Sequence, residues 1–322
     1  MSATLDIAVV GATGTLGRAL LEVLGDSRFP VGKLYPLASE RAAAEGDTVT
    51  FRRHDLSVGD TEGFDFAKVQ LVLLAVPAAL ADSLAADATE AGAAGLDLSA
   101  AQRHNPALVL ADLNCSGPAA GQRVVCPDGL SLALASLLDG LAPAGVEMAD
   151  ITALLPVSAH GRAAMDELAG QTTALFNLSE TTTQVFDRRM AFNLLPASLA
   201  EHQRQHADIT RLLGSPAVGL SLNLATAPLF FGATLALTLR GSAVNLDAVR
   251  AVWAANTLIR LEDDAAALSP ADAASRPDLT VAGLQQQGSQ LCAWVAFDPV
   301  RWAALHALRL SARTLAALHQ PA

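Results

Sequence analysis

The stretch LDIAVVGATGTLGRALLEVL, residues 5–24, decides the fold of the amino-terminal half. Its first six residues are apolar apart from Asp6 and predict a buried strand, and its last seven have the apolar spacing of a helix. The three glycines between them, Gly11, Gly14 and Gly17, let the backbone approach a pyrophosphate, whose charge the following helix N-terminus favours. A strand, a glycine turn and a helix in this order predict a nucleotide-binding turn. A turn kept only for packing of the helix on the strand is the alternative.

Strands and helices continue to alternate over the first 100 residues. The run at 69–76 is apolar apart from Gln70, as expected of a strand that is buried on both faces. Such alternation predicts a parallel, Rossmann-like doubly wound sheet with helices on both sides, and hence an α/β protein. The other predicted elements of this half are strands at 31–38, 48–53, 95–99 and 107–110 and a helix at 78–90.

From about Ala149 the pattern changes to longer strands separated by two helical regions, which predicts an α+β domain with a mixed or antiparallel sheet. Residues 261–278 have the composition of a surface loop, and a terminal helix from 300 is expected to pack back on the first domain. We therefore predict a nucleotide-binding domain of residues 1–128 with 300–322 and a second domain of residues 129–299, which the family resemblance given below identifies as a catalytic-like, dimerisation domain. Strands are predicted at 150–157, 220–227, 234–240 and 290–296, and helices at 162–176 and 199–213.

Composition excludes several classes of function. With 21 basic and 32 acidic residues among 322, the net charge of −11 disfavours nucleic acid and anionic membranes as partners. The three cysteines have no metal-type spacing, so we predict no metal site. The sequence shows neither a signal-peptide pattern nor an apolar run of membrane-spanning length, which predicts a soluble, cytoplasmic protein.

The chain resembles the aspartate-β-semialdehyde dehydrogenases over nearly its whole length, and within them the Usg-type paralogues. The resemblance implies a two-domain homodimer, and a family reaction that makes aspartate semialdehyde from aspartyl phosphate with NADPH through a thioacyl-enzyme. No single matching stretch is decisive, but their order and spacing are specific. They are residues 11–17, 37–41, 97–103, 114, 127–131, 158–168, 191–196, 228–234 and 298–301.

Four positions depart from the catalytic residues that the resemblance implies. Gly129 stands where the family has its nucleophilic cysteine, and Ala233 where it has its histidine base. Thr226 replaces an arginine, and Leu155 replaces a glutamine near the nucleophile. Because nucleophile and base act as one unit, losing either abolishes useful turnover. We therefore predict no catalytic residues for the semialdehyde dehydrogenase reaction in this chain.

The binding residues that the resemblance implies are better preserved. NADP or NAD is the expected cofactor, with weakened binding because Glu45 stands where the family has a lysine. A small anionic ligand is expected at the remaining polar positions, although Arg103 reads equally well as a salt-bridged surface arginine. Cofactor contacts are implied for Gly11, Thr13, Gly14, Thr15, Leu16, Gly17, Ser39 and Arg41, and anion contacts for Arg103, Asn114 and Arg204.

Other residues leave alternatives open. Cys126 and His160 would form a relocated nucleophile and base if they were spatial neighbours, but a cysteine ending an apolar strand is usually an inert small hydrophobe. His202 and His206 have helical spacing that suits a metal, yet no third ligand is evident, so a solvated helix face is the favoured interpretation. Trp302 either fills part of the nicotinamide site or packs in the core.

Three functions follow from these observations. The first is a non-catalytic, nucleotide- or anion-binding or regulatory homodimer, formed through the sheet of the second domain with the strands at 220–227 and 235–239. The alternative is an NAD(P)-dependent oxidoreductase acting on a different small substrate without a thioacyl intermediate. The third is a structural partner protein without a ligand.

Overall fold

The computed structural model describes residues 4–99, 102, 103, 105, 108–110, 113, 115–214, 218–274 and 276–318. The chain forms two compact units, the first made of Met1–Asp128 with Ala303–Ala322 and the second of Gly129–Trp302. None of the helices in this described part of the chain combines the length and apolarity needed to cross a membrane.

The first unit follows the strand–helix alternation of the sequence. Its elements are β1 (Leu5–Val10), α1 (Thr15–Asp26), β2 (Val31–Ala38), α2 (Glu40–Ala44), β3 (Thr48–Phe51), β4 (His54–Ser57), β5 (Gly59–Asp60), β6 (Leu71–Leu74), α3 (Ala78–Glu90), β7 (Ala94–Asp97), β8 (Val109–Leu110) and β9 (Arg123–Val125).

Seven of these strands form one sheet in the order β5-β2-β1-β6-β7-β9-β8, and every neighbouring pair in it is parallel. The central strands β1 and β6 are buried on both faces, so their side chains pack into two separate hydrophobic cores. One core receives Leu20 and Leu24 of α1, and the other receives Ala85 and Ala88 of α3. Burial of each leucine contributes about 1.5–3 kcal/mol. The predicted doubly wound α/β fold is confirmed.

The strand predicted at 48–53 ends at Phe51 and does not join the parallel sheet. Its residues form β3, which pairs antiparallel with β4 in a separate two-stranded sheet outside the parallel one. Arg52 and Arg53 adopt positive φ angles of 48° and 67° and reverse the chain directly after Phe51. A turn with two positive φ angles suits the twist of a tight hairpin. Arginine is not a residue type that predicts such a turn, so the hairpin could not be recognised from the sequence.

Three other predicted strands are shorter than the apolar runs that suggested them. The run at 69–76 supplies only β6, because a 3₁₀ turn over Phe66–Lys68 precedes it and α3 follows. The strand predicted at 95–99 is β7, and of that predicted at 107–110 the structure describes β8, whereas residue 107 lies outside the described residues.

The second unit is an α+β arrangement. Its elements are α4 (Gly129–Leu138), β10 (Met148–Leu155), α5 (Arg162–Phe176), β11 (Leu195–Pro196), α6 (Leu199–Leu213), β12 (Gly219–Thr226), β13 (Ala233–Arg240), α7 (Leu246–Ala255), β14 (Ile259–Glu262), α8 (Pro270–Ala273), β15 (Leu279–Gln287), β16 (Gln290–Phe297) and α9 (Pro299–Leu318), which crosses into the first unit at Ala303.

A mixed sheet in the order β11-β12-β10-β13-β16-β15-β14 forms the centre of this unit, as predicted. The pairs β10–β12 and β14–β15 are parallel, and the other neighbours are antiparallel. Every residue of α4 is buried, which explains why its ten residues include no charge. Trp253 of α7 is also fully buried and donates from Nε1 to the Leu137 carbonyl oxygen at 2.8 Å.

The described residues of the surface loop predicted at 261–278 lie largely at the surface, but the segment is not without secondary structure. It contains the end of β14, a 3₁₀ turn over Ala265–Ala267 and the short helix α8. The strand escaped prediction because four residues show little periodicity and its parallel partner β15 lies beyond the loop in sequence.

Candidate functional site

The glycine turn between β1 and α1 requires glycine for steric reasons. Gly11 has a φ of 84°, and a Cβ there would lie 2.3 Å from the Ala75 carbonyl oxygen. A Cβ at Gly17 would lie 2.1 Å from the Gly11 carbonyl oxygen. The backbone N–H groups of Gly11 and Ala12 donate to the Leu37 carbonyl oxygen at 2.8 and 2.9 Å. The turn is therefore tightly fixed to the sheet.

The start of α1 has the chemistry of a phosphate site. Gly14 precedes the helix and supplies no side-chain cap, so the first N–H groups are not capped by their own N-cap residue. Within the described part of the chain, the buried Oγ1 of Thr15 has no hydrogen-bond partner. An uncapped helix start and a buried hydroxyl without a partner fit an anionic phosphate. The Thr13 carbonyl oxygen accepts a hydrogen bond from Nε of Arg18 at 3.0 Å, a contact within the turn itself.

The loop after β2 is less clearly a binding site. Ser39 precedes α2 without a side-chain capping bond, and Arg41 is exposed. Arg41 forms an ion pair with Glu45 one helical turn later, at 4.0 Å. Such an exposed pair stabilises by about 0–1 kcal/mol at most, so the arginine can exchange it readily for another anion.

Arg103 is buried and ion-paired. Its guanidinium is only 8% exposed and donates to the Asp128 carboxylate, directly before the start of α4. This contact offsets the negative charge of Asp128 beside position 129. Asn114, the other anion contact implied for this unit, lies outside the described residues.

The second unit brings to one end of its sheet three of the four positions that depart from the catalytic residues implied by the resemblance. Leu155 ends β10 and lies opposite Thr226, which ends the neighbouring β12. Ala233 begins β13 on the other side of β10, and the next residue, Thr234, lies opposite Leu154. Leu155, Thr226 and Ala233 are all buried. The glutamine, arginine and histidine that the resemblance implies at these three positions are thus a leucine, a threonine and an alanine, all with buried side chains.

Gly129 is the first residue of α4 and is tightly covered. A Cβ at this position would lie 1.7 Å from the carbonyl oxygen of Pro299, 2.5 Å from its carbonyl carbon and 2.9 Å from its Cα. Real Cβ atoms do not approach backbone atoms this closely. The space that any side chain at position 129 would need is therefore taken by the start of α9.

Trp302 lies one turn further along α9 and is buried. Its ring meets Phe297 edge-on, with centroids 6.2 Å apart. Phe297 in turn lies opposite Ala233 in the sheet. The core-packing interpretation of Trp302 is therefore the one that the contacts favour.

Cys126 has the environment of an inert thiol. It is buried in the core of the first unit, and desolvation by burial, with smaller contributions from Asp97 and Cys115, raises its pKa well above the usual thiol value. Because the thiolate is the nucleophile, a thiol held protonated is unreactive at neutral pH. The structure thus disfavours the relocated nucleophile.

The histidines of α6 make backbone contacts. His202 accepts from the Leu224 N–H at Nε2, at 3.0 Å, and its Nδ1 lies 2.9 Å from the Ser198 carbonyl oxygen. Both ring nitrogens are thereby occupied, which leaves no lone pair for a metal. His206 contacts the Leu220 carbonyl oxygen at 3.3 Å. Arg204, between them, is exposed. Across the described ranges, no three metal-binding side chains cluster.

Residues 6–128 match the family described as semialdehyde dehydrogenase, NAD binding domain, and residues 136–302 match semialdehyde dehydrogenase, dimerisation domain. A USG-1 protein homolog of Azotobacter vinelandii is 37% identical, covering 97% of this chain and 98% of the relative. Aspartate-semialdehyde dehydrogenase 2 of Vibrio cholerae is 30% identical, covering 72% of each chain. The crystal structure of aspartate semialdehyde dehydrogenase II of Vibrio cholerae, complexed with ASA, has a TM-score of 0.89 at 25% identity, covering 98% of this chain and 99% of that one.

Proposed function

The chain belongs to the semialdehyde dehydrogenase family, and from this premise we propose that it is a non-catalytic member that binds a nicotinamide nucleotide and acts as a homodimer. The observation that carries the proposal is the backbone of Pro299, which stands 1.7 Å from where a Cβ at Gly129 would lie. A thioacyl mechanism needs a thiolate at this position, and the fold leaves no room for one.

The loss of chemistry is supported by more than one position. Losing the nucleophile costs about a millionfold in rate in the well-studied serine protease case, and losing a general base costs about 10²–10⁴-fold. Ala233 has no group that can move a proton, and it is fully buried. Restoring the thiol alone would therefore leave it without a base on β13.

Nucleotide binding is supported by the turn at the start of α1. The Thr15 hydroxyl, the glycine turn and the helix N-terminus together would hold a phosphate of NADP or NAD. Arg41 would contact a 2′-phosphate, in competition with its own ion pair to Glu45. This competition is expected to weaken NADP, since Glu45 carries the same sign of charge as the phosphate.

The proposal predicts binding without turnover. NADPH or NADH should raise the thermal unfolding midpoint in a concentration-dependent way, because a ligand that binds only the native state stabilises it. Phosphate-dependent reduction of NADP with aspartate semialdehyde should not exceed the rate without protein. Turnover near that of an active family member contradicts the non-catalytic part, and no thermal shift at millimolar nucleotide contradicts the binding part.

A matched pair of variants localises the nucleotide. Thr15→Val keeps the branched shape but removes the hydroxyl, and should weaken NADPH at least about tenfold, since a hydrogen bond to a charged group contributes about 1.5–3 kcal/mol. Thr15→Ser keeps the hydroxyl and should bind within about threefold of the unchanged protein. Equal weakening by both variants would show that the hydroxyl is not the contact.

The proposed homodimer rests on the open face of the second sheet. Thr152, Ala236 and Trp294 lie side by side across β10, β13 and β16. Trp294 is 48% exposed there, and Met148 adds further apolar surface to the same face of β10. A large exposed aromatic side chain on a flat sheet face is typical of a protein interface.

Light scattering should therefore give a mass of twice 33.2 kDa. Trp294→Asp should raise the dimer dissociation constant at least about thirtyfold, because buried tryptophans at interfaces commonly contribute 2 kcal/mol or more. Leu80→Asp serves as the control, since Leu80 is 52% exposed on α3 of the first unit. Its mass should stay dimeric. A monomer at all concentrations in the unchanged protein contradicts the proposal.

A further inference from the structure

A cavity of about 520 Å³ lies in the first unit between α1 and the hairpin of β3 and β4, and the proposed function does not use it. Small-molecule sites in proteins commonly have about 300–1,000 Å³. The buried side chains of Leu21 and Val49 supply apolar lining. The hairpin packs closely on α1 beside the cavity, because a Cβ at Gly25 would lie 3.6 Å from the Phe51 ring. The cavity therefore has walls from two elements that contact each other.

One face of α1 contributes charges of both signs to this cavity. Arg18, Glu22 and Asp26 follow one another at intervals of four residues, which places them on the same side of the helix. Nε of Arg18 donates to the Thr13 carbonyl oxygen. The two terminal nitrogens of Arg18 make no hydrogen bond or ion pair within the described part of the chain. They are therefore available to a ligand in the cavity.

The turn of the hairpin adds two arginines in a strained conformation. Arg52 and Arg53 have φ angles of 48° and 67°, in a turn type that usually carries asparagine or glycine. Left-handed backbone at other residues costs conformational energy, and such strain clusters at ligand and active sites. Arg52 donates to the Phe29 carbonyl oxygen at 2.9 Å. Arg53 also lines the cavity, but among the described residues it has neither a hydrogen bond nor an ion pair.

The charges of the lining determine which class of ligand fits. Three guanidinium groups disfavour a cation, and the carboxylates of Glu22 and Asp26 disfavour a simple anion. An α-amino acid has a carboxylate for arginine and an ammonium with three donors for a carboxylate. Because a carboxylate has about four acceptor positions, it can accept from an ammonium in addition to contacts it already makes. Three arginines against two carboxylates leave one net positive charge, which favours an amino acid of net negative charge.

We propose that this cavity binds an acidic α-amino acid, with Arg18 and Arg53 contacting its two carboxylates and Glu22 its ammonium. Arg18 lies in the first turn of α1, whereas the hairpin turn lies near the end of the helix, since a Cβ at Gly25 would lie 3.4 Å from the Arg52 nitrogen. Glu22 lies between these two levels. The positive, negative and positive groups along α1 thus match the carboxylate, ammonium and carboxylate of the ligand. The inference goes beyond the proposed function.

The test is calorimetric titration of the full chain with L-glutamate, glutarate and L-norvaline at constant ionic strength. The three probes share a five-carbon chain, but glutarate lacks the ammonium and L-norvaline lacks the second carboxylate. L-Glutamate should bind at least about tenfold more tightly than either, because each missing group removes a charge-assisted hydrogen bond. Equal binding of glutarate or of L-norvaline overturns the inference, and so does no binding of L-glutamate at millimolar concentration.

Arg53→Asn separates ligand contact from backbone strain. Asparagine tolerates a positive φ better than arginine does, so this variant should raise the thermal unfolding midpoint. Its affinity for L-glutamate should nevertheless fall at least about tenfold. Arg188→Asn is the matched control, since Arg188 is an exposed arginine of the second unit, and it should bind L-glutamate within about twofold of the unchanged protein. Unchanged binding by Arg53→Asn, or equal weakening by both variants, overturns the inference.

Glu22→Gln tests the ammonium contact without disturbing the turn. It keeps the shape of the side chain but removes its charge, and should weaken L-glutamate about tenfold without weakening glutarate. Equal weakening of both ligands overturns the inference. Thr15→Val should alter only nucleotide binding. A protein that binds NADPH but not L-glutamate contradicts this inference alone, and one that binds L-glutamate but not NADPH contradicts only the proposed nucleotide site.

Discussion

Gly129→Ala is expected to lower the free energy of unfolding of the second unit by about 3 kcal/mol or more, because overpacking against a fixed backbone is costly. The added Cβ would meet the Pro299 carbonyl at the start of α9, and backbone must move to accept it. Chemical denaturation followed by circular dichroism measures the loss. A change below about 1 kcal/mol would show that the two segments separate easily.

Gly170→Ala is the matched control. Gly170 lies within α5 of the same unit, and a Cβ there meets nothing within 4 Å. Alanine is the better helix former by about 1 kcal/mol. The two glycine-to-alanine changes should therefore shift stability in opposite directions, and two losses of equal size would contradict the steric argument.

The close approach of the Pro299 backbone to position 129 also predicts what happens when the family residues are restored. Gly129→Cys combined with Ala233→His restores the two residue types that the resemblance implies for the family chemistry, yet it should give no dehydrogenase turnover and should unfold more easily than the unchanged protein. Leu155 and Thr226 would also remain without their family counterparts. Turnover comparable to that of an active relative would mean that the start of α9 can move away from position 129 with little loss of stability.

Arg123→Met is expected to lower the free energy of unfolding by about 3–5 kcal/mol, the usual range when one partner of a buried ion pair is removed. Arg123, 12% exposed, bridges the fully buried Asp97 carboxylate on β7 and the exposed Asp82 carboxylate on α3, the latter at 2.8 Å. Burial alone would lower the pKa of Arg123, but its hydrogen bonds to Asp97 and Asp82 outweigh this and raise it. Methionine fills similar space but leaves the Asp97 charge without its partner.

Asp82→Asn is the control for this network and should cost no more than about 1 kcal/mol, since an exposed ion pair contributes little. The hydrogen bond from Arg123 lowers the pKa of Asp82. The contribution of Asp82 is therefore present above the unfolded carboxylate pKa and is lost as the pH falls through the lowered value. If Arg123→Met lowers the free energy of unfolding no more than Asp82→Asn does, the prediction is contradicted, because the buried Arg123–Asp97 pair would then contribute no more than the exposed Arg123–Asp82 pair.

Long periodic elements were predictable from the sequence, and short or non-local ones were not. The bounds of β1, β2, α3, α5 and α6 agree with the predicted ranges because each element is long enough to be recognised from its own residues. The hairpin of β3 and β4 and the strand β14 depend on turn geometry or on partners elsewhere in the chain.

The site divides in the same way. Residue types alone revealed that position 129 lacks a thiol. The sequence could not show that Pro299, far along the chain, covers this glycine, or that Arg103 already holds the Asp128 carboxylate. Nor could spacing indicate that His160 and Thr226 lie within hydrogen-bonding distance. Each of these contacts joins segments that only the folded topology brings together.

The crossing of α9 into the first unit affects the order in which the chain can fold. Ala304, Ala307 and Leu310 belong to the core of that unit. A Cβ at Gly117 would lie 2.3 Å from the Thr314 nitrogen, so α9 packs closely against the segment that contains Gly117. During synthesis these residues follow the whole of the second unit. The core of the first unit therefore stays incomplete, with part of its apolar surface exposed to water, until the second unit has been synthesised. A premature stop within the second unit would damage both.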